Sequence, residues 1–368
     1  MSFWPPDKKE RDDSIFAERL LRLYKLLEEK EIEALLVSKG ENIRYLSGFT
    51  GGSDARLLIS PGEKYILTDS RYQEQVEREC PDWQLREEKP PGLKQLAELS
   101  QAYKRIGVEA HAISYSFFME LQQSLKSDLQ PVSQLVEGLR QVKDETELKL
   151  IRESARIADT VFSDICLKLK PGISERDIAS EIVYLLRQKG CDKESFDVIV
   201  VSAENAALPH GQPGNRRLAS GDMVTLDFGG FYEGYTADMS RTIAISKASA
   251  RLQELYQALL LAQEKGITMV RAGQSCREID RAVREKLKAF GLDPYFIHGT
   301  GHGLGLEIHE QPRLSPLSEA VLEENMVVTI EPGIYIAGWG GLRIEDSVIV
   351  KDSYGEVITR SDKKLLVF

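Results

Sequence analysis

Four acidic residues occupy places where burial makes a carboxylate costly, inside or at the end of strand-like apolar runs. Asp227 lies in Met223-Val-Thr-Leu-Asp-Phe-Gly, and Asp238 lies beyond the glycine-containing loop that follows. Glu331 closes Val327-Val-Thr-Ile, and Glu345 lies within Gly341-Leu-Arg-Ile-Glu-Asp-Ser-Val-Ile-Val. Aspartate has poor strand propensity, and an ionised carboxylate in an apolar strand is unfavourable unless it is paired or coordinates a metal. The runs around Asp227 and Asp238 read as neighbouring strands of one hairpin, so both carboxylates can converge on one face. Period-two geometry puts Arg343 and Glu345 on the same face and Asp346 on the other, which makes Asp346 the weaker candidate. The competing reading of the acidic pair is a salt bridge to an arginine such as Arg241.

Histidines cluster in the same part of the chain. Of the five, His210, His298, His302 and His309 share this region and only His111 lies outside it. A lone histidine is more often a core or surface residue than a ligand, but carboxylates stand between and after these. The stretch His298-Gly-Thr-Gly-His302-Gly-Leu-Gly-Leu-Glu-Ile-His309-Glu310 is glycine-rich enough to let backbone approach a site closely. A phosphate-cradling loop is the alternative, and it is weak, because no lysine or arginine accompanies the glycines and no Walker pattern is present. Charge favours a pair of metals. The carboxylates of Asp227, Asp238, Glu331 and Glu345 balance two divalent cations, with His302 adding a neutral nitrogen. Without cations, converging carboxylates raise one another's pKa values; with two, they can bridge the metals and clamp a water. Oxygen ligands with one imidazole suit manganese, cobalt or zinc better than copper or an iron-sulfur cluster.

With 368 residues, of which 42% are hydrophobic and 29% charged, the chain is long enough for two domains with their own cores. Acidic residues outnumber basic ones by 58 to 48, a net charge of −10, so neither nucleic acid nor anionic lipid is an expected partner. The opening MSFWPPDKKERDDS is polar, no apolar run reaches the ~18 residues of a membrane span, and no signal-peptide pattern appears. A cytoplasmic location is expected, with Cys80, Cys166, Cys191 and Cys276 as buried thiols.

Local patterns give an α/β first domain over 1–136: a helix over Ile15–Glu29, a strand at Ala34–Val37 and a hairpin of Ala55–Ile59 with Tyr65–Thr68 turned by Ser60-Pro-Gly. The second domain, 137–368, begins with a long amphipathic helix over Thr146–Leu169 stopped at Pro171-Gly172. Ser174-Glu-Arg-Asp177 then caps another helix. A helix from about Ala248 to Arg271 stops at Ala272-Gly273, and Ser275-Cys-Arg-Glu278 caps the next. Aligning Lys170–Ile178 with Arg271–Ile279 suggests a duplication, two similar halves facing each other across a cleft.

Taken together, these residues resemble the metallopeptidase family of pita-bread fold, in its prolidase and aminopeptidase P branch. The resemblance rests on the spacing of Asp227, Asp238, His302, Glu331 and Glu345 and on GHGLGLEIHE, TIEPGIYI and GGLRIED. The first domain is similar to the creatinase-type N-terminal domain through Asn42-Ile-Arg-Tyr-Leu-Ser-Gly-Phe-Thr-Gly51 and Thr68-Asp-Ser-Arg-Tyr72. The implied fold is α+β, a pita-bread catalytic domain preceded by a smaller α/β domain. By resemblance Asp227 would chelate one of two divalent metals, manganese foremost with cobalt or zinc as alternatives. Asp238 and Glu345 would bridge both, and His302 with Glu331 would complete the other. The implied activity is hydrolysis of the bond between an N-terminal residue and proline, by a water activated between the metals. Glu331 would shuttle the proton, His309 and His210 would face the scissile carbonyl, His298 would line the site, and Arg343 would stand beside the cluster. The implied partners are small proline-containing peptides and a second copy of the chain in a homodimer. The histidine-glycine stretch looks most like short bacterial aminopeptidases, and a prolidase restricted to dipeptides is the alternative. A creatinase-like metal-free hydrolase, a non-catalytic binding module and a phosphate hydrolase stand further off. One departure is Ala203, where relatives often have glycine.

Overall fold

The computed structural model describes residues 13–89 and 93–368, so residues 1–12 of the polar opening lie outside the described residues. The chain divides into two compact units, Met1–Arg140 and Gln141–Phe368. That division falls one short helix later than the expected 136, because Leu135–Arg140 packs with the first unit. The Tyr45 hydroxyl donates to the Leu139 carbonyl at 3.2 Å, and the Arg140 guanidinium donates to Asn42 Oδ1 at 2.7 Å.

In the first unit, α1 (Asp13–Glu29), β1 (Ala34–Val37), α2 (Gly40–Ser47), β2 (Ala55–Ile59), β3 (Lys64–Thr68), α3 (Gln73–Glu79), β4 (Gln84–Glu87), α4 (Lys94–Ser100), β5 (Arg105–Glu109), α5 (Tyr115–Ser124), β6 (Asp128–Val132) and α6 (Leu135–Arg140) follow in order. The strands form one sheet in the order β4-β3-β2-β1-β5-β6, antiparallel from β1 to β3 and parallel elsewhere. The inner strand β1 is buried along its whole length, as its unbroken apolar sequence requires.

The second unit opens on α7 (Glu145–Cys166) and α8 (Glu175–Gln188), each begun by a capping box, Asp144 with Glu147 and Ser174 with Asp177. Then come β7 (Lys193–Glu194), β8 (Ile199–Ser202), β9 (Met223–Phe228), β10 (Gly230–Tyr232), β11 (Tyr235–Thr236), β12 (Met239–Ala244), α9 (Ala250–Met269) and α10 (Cys276–Lys288). The chain ends with β13 (Gly301–Gly303), β14 (Glu310–Leu314), β15 (Val327–Ile330), β16 (Gly333–Ile336), β17 (Gly340–Arg343), β18 (Asp346–Val350) and β19 (Gly355–Val357). Strands β12-β9-β8 make one sheet and β14-β13-β15-β18-β19 another. Strand β9 packs Val224, Leu226 and Phe228 against Ile157 and Val161 of α7 and Ile182 and Leu186 of α8.

The halves repeat each other at the level of hydrogen bonds. Gly172 donates to the Leu218 carbonyl and Gly273 to that of Leu322, both at 2.8 Å; Glu175 donates to Arg216 and Cys276 to Ala320, both at 3.0 Å. Asp227 and Glu331 then stand equally far beyond Leu218 and Leu322. The repeat is imperfect: Ser275 precedes α10 at the capping position but makes no side-chain cap hydrogen bond.

Two expectations about the acidic strands change. Strands β9 and β12 do pair, with Asp227 opposite Ser240, but the chain between them is itself a hairpin, β10 with β11, in a separate sheet with β7. Glu345 does not lie inside a strand. It sits in the break where the chain leaves β17, paired with β16, for β18, paired with β15.

Candidate active site

The site is assembled where strand ends from the two halves of the second unit meet. Strand β13 brings in His302 because glycine permits it: a Cβ on Gly301 would lie 1.9 Å from the Thr329 carbonyl oxygen. The His302 backbone N–H donates to Thr329 Oγ1 at 3.0 Å, tying β13 to β15. The ring Nδ1 is 3.0 Å from the Gly303 carbonyl. A carbonyl only accepts, so Nδ1 carries the proton and Nε2 presents a lone pair. That Nε2 lies 3.3 Å from Glu331 Oε1 and 3.8 Å from Asp238 Oδ2. One ligand atom each from Asp238, His302 and Glu345 falls within 4.8 Å of the others. Asp227 is not one of these three, and its Oδ2 accepts from the Arg343 guanidinium.

Electrostatics single out the same residues. Burial, then Asp227 and Glu331, push the Asp238 carboxyl well above its usual value. Burial, then Asp238, Glu331 and Asp227, do the same to Glu345. Glu331 is pushed up to about 7 by burial, against the pull of Arg343. Burial holds His302 down at about 3, so the imidazole is neutral at neutral pH. In the second unit, among the described residues, the buried side-chain polar atoms without a hydrogen-bond partner are Asp227 Oδ1, Asp238 Oδ1 and Glu345 Oε1. Each orphaned carboxylate oxygen leaves a desolvation cost of at least ~1–3 kcal/mol uncompensated. Those of Asp238 and Glu345 belong to residues grouped with His302, Asp227 is near enough to raise both carboxyls, and this oxygen-plus-nitrogen donor set suits divalent cations.

The salt-bridge reading through Arg241 does not hold for Asp227 or Asp238. Arg241 donates to Asp346 Oδ1 at 2.7 Å, and Lys363 lies 2.9 Å from Asp346 Oδ2, so Asp346 is neutralised away from the cluster. Arg343 is the cation at the site. Its Nε donates to Ser240 Oγ at 2.9 Å, and Ser240 Oγ donates to Glu345 Oε2 at 2.7 Å. Its Nη1 donates to the Tyr335 hydroxyl at 2.8 Å and to the Pro209 carbonyl at 3.1 Å.

The remaining histidines stand around this core. His298 donates from Nδ1 to the Gly299 carbonyl at 2.8 Å, which leaves Nε2, 3.0 Å from the Tyr335 hydroxyl, to accept from it. Burial lowers His298 to about 4. The exposed His309 ring meets His302 edge-on, centroids 4.4 Å apart. Exposed His210 is near enough to both His298 and His309 to reinforce the lowering that burial begins.

Buried carboxylates on the capped helices anchor two of these segments. Glu175 of α8 accepts from the Ser202 amide at 2.7 Å and the Gly214 amide at 3.0 Å, pinning both ends of the loop that carries His210. Asp280 of α10 accepts from the Thr300 amide at 3.1 Å, while its ion-pair partner Arg284 donates to the Phe296 and His298 carbonyls. Sequence reasoning assigned no part to Tyr335, Ser240, Thr329, Glu175 or Asp280. A signal existed for Asp280, a carboxylate in the buried stripe Cys276, Ile279, Val283 and Leu287 of α10. Tyr335 carried none beyond its place in a strand.

Fold and site together define a metal-dependent peptidase of two domains, a smaller α/β domain and an α+β pita-bread catalytic domain. Residues 149–352 match the sequence profile of metallopeptidase family M24, and residues 19–142 that of the creatinase/prolidase N-terminal domain. The chain belongs to metallopeptidase family M24. A solved structure named Xaa-Pro dipeptidase, from Bacillus anthracis, is 38% identical, covers 96% of this chain and 100% of its own, and superposes with a TM-score of 0.93. The Xaa-Pro dipeptidase of Pyrococcus furiosus is 33% identical over 95% of this chain and 99% of that protein. A structure named X-Pro aminopeptidase, from Thermotoga maritima, is 32% identical over 94% of this chain and 100% of that one, with a TM-score of 0.87.

Proposed function

We propose that this chain is an Xaa-Pro dipeptidase, a metal-dependent exopeptidase that hydrolyses the bond between an N-terminal residue and proline. The observation that carries the reading is the trio of unpartnered buried oxygens on Asp227, Asp238 and Glu345 beside the neutral His302. Those four residues and Glu331 would hold two divalent cations, manganese being the first to test, then cobalt and zinc. When bound, the cations supply Lewis acidity, polarising the scissile carbonyl and making a water acidic enough to attack near neutral pH.

The protein groups do the rest. His309 and His210, both exposed, donate from ring N–H to the carbonyl oxygen as negative charge develops there, each worth about 3 kcal/mol in the transition state. Glu331 moves the proton from the attacking water to the prolyl nitrogen, which must be protonated to leave. That nitrogen carries no N–H in the substrate, so a subsite demanding a backbone donor there cannot accept it. Arg343 holds Asp227 and, through Ser240, Glu345, while Tyr335 fixes His298.

The His298–Glu310 stretch points toward an aminopeptidase acting on longer peptides, yet two of the three relatives above are named dipeptidases, which weighs for dipeptides. By resemblance, the working form is a cytoplasmic homodimer, which sedimentation of the purified chain checks for the assembly. The test of activity compares kcat/KM for Xaa-Pro with that for Xaa-Pro-Yaa-Zaa, before and after chelation and manganese return. Dipeptides should be preferred by tenfold or more, and chelation should remove the activity reversibly. Preference for the tetrapeptide returns the aminopeptidase reading, and activity indifferent to chelation sinks the metal-dependent one.

A further inference from the structure

The His309 ring is exposed and, among the described residues, makes no hydrogen bond, so its place beside His302 depends on the backbone that carries it. That backbone is the turn between β13 and β14. Glu310, the first residue of β14, folds its carboxylate back into the turn: Oε1 accepts from the Leu306 amide at 3.0 Å and the Glu307 amide at 3.2 Å. Gly305 makes room for it, since a Cβ there would lie 2.9 Å from that oxygen. The other oxygen, Oε2, lies 3.1 Å from Lys143 Nζ, and the two side chains are 5% and 1% exposed. Lys143 also donates to the Gln141 carbonyl at 3.2 Å, just ahead of the capping box of α7. On the far side of the turn, the Gly305 carbonyl accepts from the Thr236 amide at 3.0 Å, two residues before Asp238.

We propose that Lys143 and Glu310 are positioning residues for His309, their buried ion pair clamping residues 304–309 so that the imidazole stays over the metal-ligand cluster. A buried ion pair is a poor source of stability, because desolvation offsets most of its attraction. What this pair supplies is geometry: it links the start of α7 to the turn that carries His309. The inference deepens the peptidase reading and rests on the role given there to His309.

The test is the double variant Lys143→Met with Glu310→Gln, which removes both charges without stranding either, made in the parent and in a His309→Ala background. In the parent, kcat for an Xaa-Pro dipeptide should fall at least tenfold, with KM and bound manganese unchanged. In the His309→Ala background the same substitutions should cost no further factor, since the group they position is gone. An unchanged kcat, or an equal loss in both backgrounds, overturns the proposal. Amide exchange at Leu306 and Glu307 should quicken and the nuclear Overhauser contact between the His302 and His309 rings should weaken; unaltered exchange and contact overturn it equally. These last readouts need no substrate, so they keep the inference testable even if the parent cleaves no Xaa-Pro peptide. The Lys143→Arg variant, which keeps the pair, should retain kcat within threefold.

Discussion

Asp238 has both a backbone anchor and an open carboxylate oxygen: its amide donates to Ser347 Oγ at 2.9 Å, while its Oδ1 has no partner. Replacing it with alanine should therefore spare the strand and remove the cation. The expected outcome for Asp238→Ala is loss of bound manganese, measured by elemental analysis, together with loss of turnover. His309→Ala should behave differently, keeping the metal and losing about a hundredfold in kcat, the usual cost of one oxyanion donor; full activity would remove His309 from the mechanism. Ala203 shows how a single departure from the family pattern acts through the backbone. It sits at φ 49°, in the left-handed region where a Cβ costs roughly 1–2 kcal/mol. Glycine would relieve that strain but lose about 0.5–1 kcal/mol to unfolded-chain entropy. Ala203→Gly should thus raise stability by a net ~0.5–1 kcal/mol, read from a denaturation curve.

At the scale of elements, the duplicated helix starts offer an internal control. Ser174 Oγ accepts from the Asp177 amide at 3.1 Å, and Asp177 completes the box from the other side. Ser174→Ala should cost about 1 kcal/mol, a fall of roughly 2–4 °C in midpoint for a unit of this size. Ser275 occupies the matching place and makes no such bond, so Ser275→Ala should shift the midpoint by less than half as much. Equal shifts would mean that the serine at α10 caps after all. The two starts look alike in sequence because Ser174-Glu-Arg-Asp and Ser275-Cys-Arg-Glu obey the same pattern. They differ in the fold because a capping oxygen must also find the right rotamer, which pattern does not specify.

For the whole molecule, the carboxylate cluster makes stability depend on pH in opposite senses with and without cations. In the metal-free protein Glu331 titrates near 7 instead of its ordinary 4.5, with Asp238 and Glu345 displaced the same way. The folded state then binds more protons than the unfolded one across that window, so stability falls as pH rises through it. The loss belongs to the coupled set of carboxylates and not to any one of them. Cations bind the ionised carboxylates, so their stabilisation grows over the same range. The expected result is a chelated midpoint that drops between pH 5 and 8 while the gap to the manganese-loaded protein widens. A flat chelated profile would show that the acids do not share one buried neighbourhood.

The four acidic residues stood out in the sequence, because a charge inside or at the end of an apolar strand-like run is unfavourable enough to need an explanation wherever the run ends up. So were the strands Ala34–Val37 and Ala55–Ile59 and the capped helix at Ser174, which follow from local periodicity and stop signals. Tertiary structure alone decided which cation met which acid. Arg241 and Arg343 are equally plausible partners along the chain, yet one neutralises Asp346 and the other holds Asp227. It also decided that Glu345 would fall in a break between sheets, and that Lys143 would reach Glu310 across 167 positions. Local patterns repeat over a few residues and fix faces and ends. Contacts at such separations depend on how whole elements pack, and nothing in the periodicity of either segment encodes its partner.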